Sequence, residues 1–177
     1  VIFGVPHFQG PLNEICDSYG IQRSFQHTLI SIDGQAKEAV FKQSDKDGNS
    51  KEVTKKFDFI HVTPPQTSPD FIKNSPLADA GGWVDVDHKV GTLRHTKYEN
   101  VYSLGDVMNA PNAKTGAAVR KQAPIVAHNI VKDINKSSED YRNYDGYGAC
   151  PLTVAYGKVM LAEFCYGGKV TPSFPFD

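Results

Sequence analysis

The stretch that most constrains how this chain can fold is Val101-Tyr102-Ser103-Leu104, which stops at Gly105-Asp106 and leads through a Pro-containing polar loop to a run of small residues opened by Thr115. The apolar tetrad predicts a short strand, Gly105 a tight turn that lets a ligand come close to the backbone, and Thr115 the start of a long helix. Strand, turn and helix start in that order present a carboxylate and a set of free amide donors. Asp106 supplies acceptor-only oxygens that suit paired hydroxyls. The helix end supplies N–H groups and partial positive charge that suit an electron-rich oxygen. A flavin nucleotide fits this description, with ribitol hydroxyls at the carboxylate and the pyrimidine edge of the ring at the helix. The same residues also read as a strand that merely ends in a Gly-Asp turn.

Upstream, Phe8, Leu12, Ile15 and Tyr19 recur at helical spacing and Gly20 is a stop signal. Residues 21–32 alternate loosely as a strand. Ala39-Val40-Phe41 leads into the polar tip Asp45-Lys46-Asp47-Gly48-Asn49, and residues 53–62 run back, which predicts a hairpin. The tip begins like a calcium loop, but Ser50 stands where glycine is needed and Lys56 where the bidentate glutamate is needed, so calcium binding fails. Residues 57–62 predict a buried strand ending at Thr63-Pro64-Pro65. A proline-rich loop over 63–82 is long enough to cross between domains or cover a site. Residues 83–87, with the sole tryptophan Trp83 as an anchor, predict another strand. The helix over about 115–135 carries Val119, Val126, Ile130 and Ile134 on one stripe, and Pro124 inside it predicts a bend.

With 177 residues, 40% of them hydrophobic, the chain can bury a core. A net charge of −1, with no Lys/Arg block longer than two, argues against nucleic-acid binding. Cys16, Cys150 and Cys165 are far apart in sequence, with neither metal-ligand spacing nor a disulfide framework, so no metal is expected. The start at Val1 and the end at Phe174-Pro175-Phe176-Asp177 suggest a piece of something longer.

Cys150 differs from the other two thiols. It sits in a Gly/Ala-rich segment, read here as a turn, and Pro151 fixes the chain direction after it. Small neighbours permit access, although no adjacent cation favours the thiolate. Taken alone, it reads as a structural residue.

Taken together, HVTPP at 61–65, SPLADAGGWVDVD at 75–87, NVYSLGDVMNAPNAKTGAAV at 100–119, YDGYGACPLTVAYGKVMLAEF at 144–164 and FPFD at 174–177 make the chain resemble the sulfide:quinone oxidoreductase family, its animal mitochondrial branch in particular. The likeness runs along the whole chain in order. It implies an α/β fold, part of a two-dinucleotide-binding-domain (glutathione-reductase-like, FAD/NAD-linked reductase) architecture. On that likeness residues 1–80 close the second nucleotide-type domain and its crossover loop. Residues 81–140 close the FAD-binding domain, and residues 141–177 carry a redox cysteine toward a membrane-docking tail.

The resemblance further implies a role for each residue. Asp106 holds the flavin ribitol, and Lys114, Thr115 and Gly116 form the turn against the flavin ring. Thr63-Pro64 marks the return between domains, and Cys150 is the cysteine that carries the persulfide. In the family, sulfide attacks a sulfur bridge between two cysteines. One cysteine keeps the added sulfur, two electrons pass through FAD to ubiquinone, and the sulfane sulfur leaves to a small acceptor. The implied setting is the inner mitochondrial membrane, bound peripherally.

The chain lacks GxGxxG and the partner cysteine. It is therefore expected to be the C-terminal half of the catalytic body, inactive and without tightly held FAD when alone. A related NADH:quinone reductase or flavocytochrome c sulfide dehydrogenase, and a catalytically silent binding module, stay open as alternatives.

Overall fold

The computed structural model describes residues 1–174, so the end of the FPFD motif lies outside the described residues. The chain divides into two compact units: Val1–Ile2 with Gln9–Pro65, and Phe3–Phe8 with the chain from Gln66 on. Helices and strands occur in both, as a mixed α and β chain requires.

In the first unit, helix α1 (Gln9–Ser18) ends where the sequence places a stop. Gly20 takes φ +67° and donates to Asp17 O, while Ile21 N–H reaches back to Cys16 O. This is the left-handed termination that glycine makes inexpensive. Strands β1 (His27–Asp33), β2 (Glu38–Ser44) and β3 (Ser50–Lys56) form an antiparallel sheet with β2 in the middle. The β2–β3 tip uses Asp45 as its own scaffold: Oδ1 accepts from the amides of Asp47 and Asn49, and Oδ2 from Asn49 Nδ2. These donors, the Asn49 side chain foremost, hold the Asp45 carboxyl below the usual carboxylate range.

Two expectations for this unit need correction. The strand predicted from residue 21 begins only at His27, because Gln26 adopts φ +57° and Arg23 folds back to donate to Asn13 O and pair with Asp17. The buried strand predicted over 57–62 is irregular, and Phe59 is 85% exposed. Its partner runs out. Glu38 opposite Lys56 is the last pair of the β2–β3 ladder, and Phe57 makes a final bond to Lys37 O.

The second unit is built on Val84, Val86, Leu93, Met108, Ala110, Val126, Tyr144, Tyr147 and Ala149. The proline-rich loop contains only a one-turn helix, α2 (Asp70–Lys73). Residues 83–87 and 101–104, expected as strands, are extended pieces that pair one residue at a time: Val84 with Ala78 and Met108, Val86 with His95, and Tyr102 with Arg94. A side chain takes the place of a continuous ladder. Asn109 Oδ1 accepts from Val86 N, and its Nδ2 donates to Asp85 Oδ1 at 2.7 Å.

Helix α3 (Gly116–Asn135) runs without interruption past Pro124, which lies on its exposed side where a missing donor costs least. Its buried face is Ala118, Gln122, Val126 and Asn129; of the expected aliphatic stripe Val126 is buried, Val119 half-buried, and Ile130 and Ile134 are exposed, Ile134 at 74%. Asn129 anchors that face: its amide donates to Thr92 O and Arg142 O and accepts from Arg142 N, tying two segments to the helix. Strands β4 (Gly148–Ala155) and β5 (Lys158–Phe164) close the unit as an antiparallel hairpin. Cys150, expected in a turn, lies instead within β4 opposite Ala162.

Candidate functional site

Every residue singled out for chemistry falls in the second unit. Leu104 is extended, and the chain then tightens into a single 3-10 turn at Gly105–Val107. Gly105 has φ +77°, which only glycine adopts at little cost. The turn presents Asp106 outward, and among the described residues no hydrogen bond uses its carboxylate oxygens.

Lys114 braces this turn from the far side of the loop. Its ammonium donates to Asp106 O at 2.5 Å and to Met108 O at 2.8 Å, and lies 4.2 Å from the centre of the Trp83 ring. Partial burial pulls the Lys114 pKa below its ordinary value, opposed by the nearby Asp106 charge.

Thr115 then caps α3, its Oγ1 accepting from Ala118 N at 3.2 Å. The amides of Gly116 and Ala117 have no acceptor among the described residues, and the Gly116 Cα faces open space. A carboxylate and two free amide donors therefore stand at either end of a short loop, which is the donor and acceptor set a polyhydroxylated, oxygen-bearing group needs.

The hairpin brings the thiol to the same loop. At Gly148, a Cβ would come within 3.2 Å of Ala113 Cβ and 3.8 Å of Thr115 Oγ1, so β4 lies against the residues that open α3. Two positions on, Cys150 lines a cavity of about 360 Å³ together with Asn112, Ala113, Phe3, Phe164 and Cys165. Among the described residues no acid, base or histidine lines this cavity, and burial pushes the Cys150 thiol above its ordinary range. Cys165 is also raised by burial, and its Sγ lies 3.4 Å from Asp145 Oδ2.

Asp106 does not open into that cavity. It lines a second one of about 310 Å³ with Trp83, Val107 and Gln66. Lys114, Thr115 and the loop before them lie between the two features along the chain.

Trp83, Gln122 and Cys165 were not singled out for this site from sequence. Trp83 lies more than thirty residues before Lys114, Gln122 looks like any polar helical residue, and Cys165 follows a strand end without a motif. Thr63 and Pro64 lie in the irregular end of the first unit.

No family model matches the chain. Individual proteins do. It is 45% identical over 177 residues to "Sulfide:quinone oxidoreductase, mitochondrial" of Dictyostelium discoideum, covering 99% of this chain and 37% of that protein. The mouse protein of the same name is 42% identical over 99% of the chain and 38% of its own length. This chain is homologous to part of mitochondrial sulfide:quinone oxidoreductase.

The Schizosaccharomyces pombe sulfide:quinone oxidoreductase is 38% identical over 87% of the chain. The chain thus spans little more than a third of the length of the curated relatives it matches. In fold it is similar to a chain in a cryo-EM structure of the Tetrahymena thermophila mitochondrial ATP synthase, with a TM-score of 0.79 at 23% identity over 94% of this chain and 39% of that one. Among the described residues no helix is long and apolar enough to cross a membrane.

Proposed function

We propose that this chain forms the C-terminal part of an FAD-dependent sulfide:quinone oxidoreductase, in which it supplies one edge of the flavin site and one redox thiol. The observation that carries the reading is the placement of the Cys150 strand against the loop that opens α3, in a chain 45% identical to a protein of that name.

The residues fit the cofactor. Asp106 has uncommitted carboxylate oxygens for ribitol hydroxyls. Thr115 and Gly116 fix a helix end whose free amides suit the electron-rich edge of the ring. Lys114 keeps the loop between them in place through two carbonyl bonds and the Trp83 face. Bound FAD supplies two-electron redox chemistry between sulfide and ubiquinone. In this reading residues 1–80 belong to the second nucleotide-type domain of a glutathione-reductase-like architecture, 81–140 to the FAD domain, and 141–177 to the segment that delivers Cys150.

Cys150 does the sulfur chemistry. Attack of sulfide on a disulfide between Cys150 and a second cysteine outside this chain breaks the S–S bond. It forms a new S–S bond at Cys150 and releases the other cysteine as thiolate, carrying the electron pair. The outer sulfur of the Cys150 persulfide then leaves to a small nucleophilic acceptor. Among the described residues the cavity lining is uncharged, which favours the persulfide in its uncharged S–SH form before transfer. Cys150 leaves as the thiolate when the acceptor attacks the outer sulfur. We place the protein in mitochondria, on the face of the inner membrane where ubiquinone is within reach.

The test is an assay of the protein that contains this segment with sulfide, NADH and cytochrome c in turn. Sulfide-dependent reduction of a short-chain ubiquinone analogue, without NADH oxidation and without cytochrome reduction, is the expected result. NADH-driven quinone reduction with no response to sulfide overturns the reading.

A further inference from the structure

Gln122 stands out in the core of the second unit. It is fully buried, at 0% exposure, in the middle of the inward face of α3, where an aliphatic side chain would fill the same volume without desolvating an amide. Its Oε1 accepts from Gly105 N at 2.8 Å, so the amide that opens the Gly105–Val107 turn ends on this side chain. Its Nε2 is buried without a partner that meets hydrogen-bond geometry. The side chain therefore joins the inward face of α3 to the turn that carries Asp106.

We infer that Gln122 is a positioning residue that fixes the Asp106 turn against the inward face of α3. It touches no reacting atom. It sets the turn that aims the Asp106 carboxylate. The functional part of this inference rests on the flavin reading of Asp106, whereas the tie itself does not.

Hydrogen exchange on the 177-residue chain tests the tie. In Gln122→Met the Gly105 amide exchanges at least about tenfold faster than in the parent chain. The Ala118 amide, capped independently by Thr115, keeps its rate. Gln122→Glu retains an acceptor, and Gly105 stays within about threefold of the parent rate. An unchanged Gly105 rate in Gln122→Met, or equal acceleration at Gly105 and Ala118, overturns the tie. Should the methionine variant not fold, the glutamate variant decides: protected Gly105 supports the tie, and exposed Gly105 beside a protected Ala118 overturns it.

Flavin affinity of the protein that contains this segment tests the functional half: Gln122→Met lowers it at least about threefold, and an unchanged affinity overturns the role of Gln122 in aiming Asp106. Flavin content of the protein that contains this segment is scored separately with Asp106→Asn. Unaltered flavin affinity in that variant sinks the flavin reading while the exchange result stands.

Discussion

The Lys114 ammonium lies 4.2 Å from the centre of the Trp83 ring, in the same position from which it donates to the carbonyls of Asp106 and Met108. One side chain thus closes the loop between the Asp106 turn and the capped helix. The closure combines a cation over an aromatic face with two charge-assisted hydrogen bonds. Because Trp83 is the only tryptophan, the chain carries its own reporter of that closure. Lys114→Met removes the cation and both donors, leaving two carbonyls to find water. We expect a loss of about 1–3 kcal/mol in a urea titration, with a shift in tryptophan emission in the native baseline. An unchanged emission spectrum contradicts the closure.

Alkaline pH provides a second test. Tyr102, Tyr144 and Tyr166 all have their hydroxyls pushed up from an ordinary value of 10.0, by burial first, and Tyr166 reaches about 12. A phenol whose folded pKa is raised holds its proton more tightly in the native state. Its contribution to stability is complete below pH 10 and is lost as pH climbs toward the folded value. Urea midpoints measured from pH 9 to 11.5 are expected to hold near pH 9 and fall steeply above 10. Tyrosinate absorbance should lag behind that of the unfolded chain. Midpoints that stay flat to pH 11.5 contradict the burial of these hydroxyls.

The helix over 116–135 and its threonine cap were legible in sequence because both signals are local: a capping oxygen three residues before the amide it accepts, and small residues at helical spacing. The hairpin tip was legible for the same reason, since Asp45 bonds its own loop. What sequence could not give were features decided by distant partners. Residues 57–62 have the composition of a buried strand but run past the end of β2, and Ile134 sits on the aliphatic stripe while Asn129 turns the helix by its bonds to Thr92 and Arg142. Cys150 looked like a turn residue because glycine and alanine precede it. In the structure Gly148 is small so that β4 can approach Ala113.

Thiol reactivity separates a buried nucleophile from an activated one. With Cys150 raised from an ordinary value of 9.0 by burial and, among the described residues, no cation lining its cavity, alkylation at pH 8 is expected to be slower than that of a free thiol such as glutathione. The rate should keep rising through pH 9. Rapid alkylation of Cys150 at pH 7 would show a source of thiolate stabilisation that these residues lack.

Backbone approach sets a further limit. Gly91 adopts φ +93°, accepts from Tyr144 N at 2.8 Å, and leaves a Cβ only 2.4 Å from Tyr144 O. Backbone cannot move aside as a flexible side chain can. Gly91→Ala is expected to cost about 2–4 kcal/mol and to lower the thermal midpoint markedly. Gly157→Ala, at the open turn of the β4–β5 hairpin, carries the strain of φ +68° alone and is expected to cost less. Equal melting temperatures for the two variants contradict the close approach.

The role of Cys150 is decided most directly by one substitution read in two ways. In the protein that contains this segment, Cys150→Ser should abolish sulfide-dependent ubiquinone reduction while the flavin absorbance per mole of protein stays at the parent value. Sulfide-dependent turnover that survives in that variant contradicts the account.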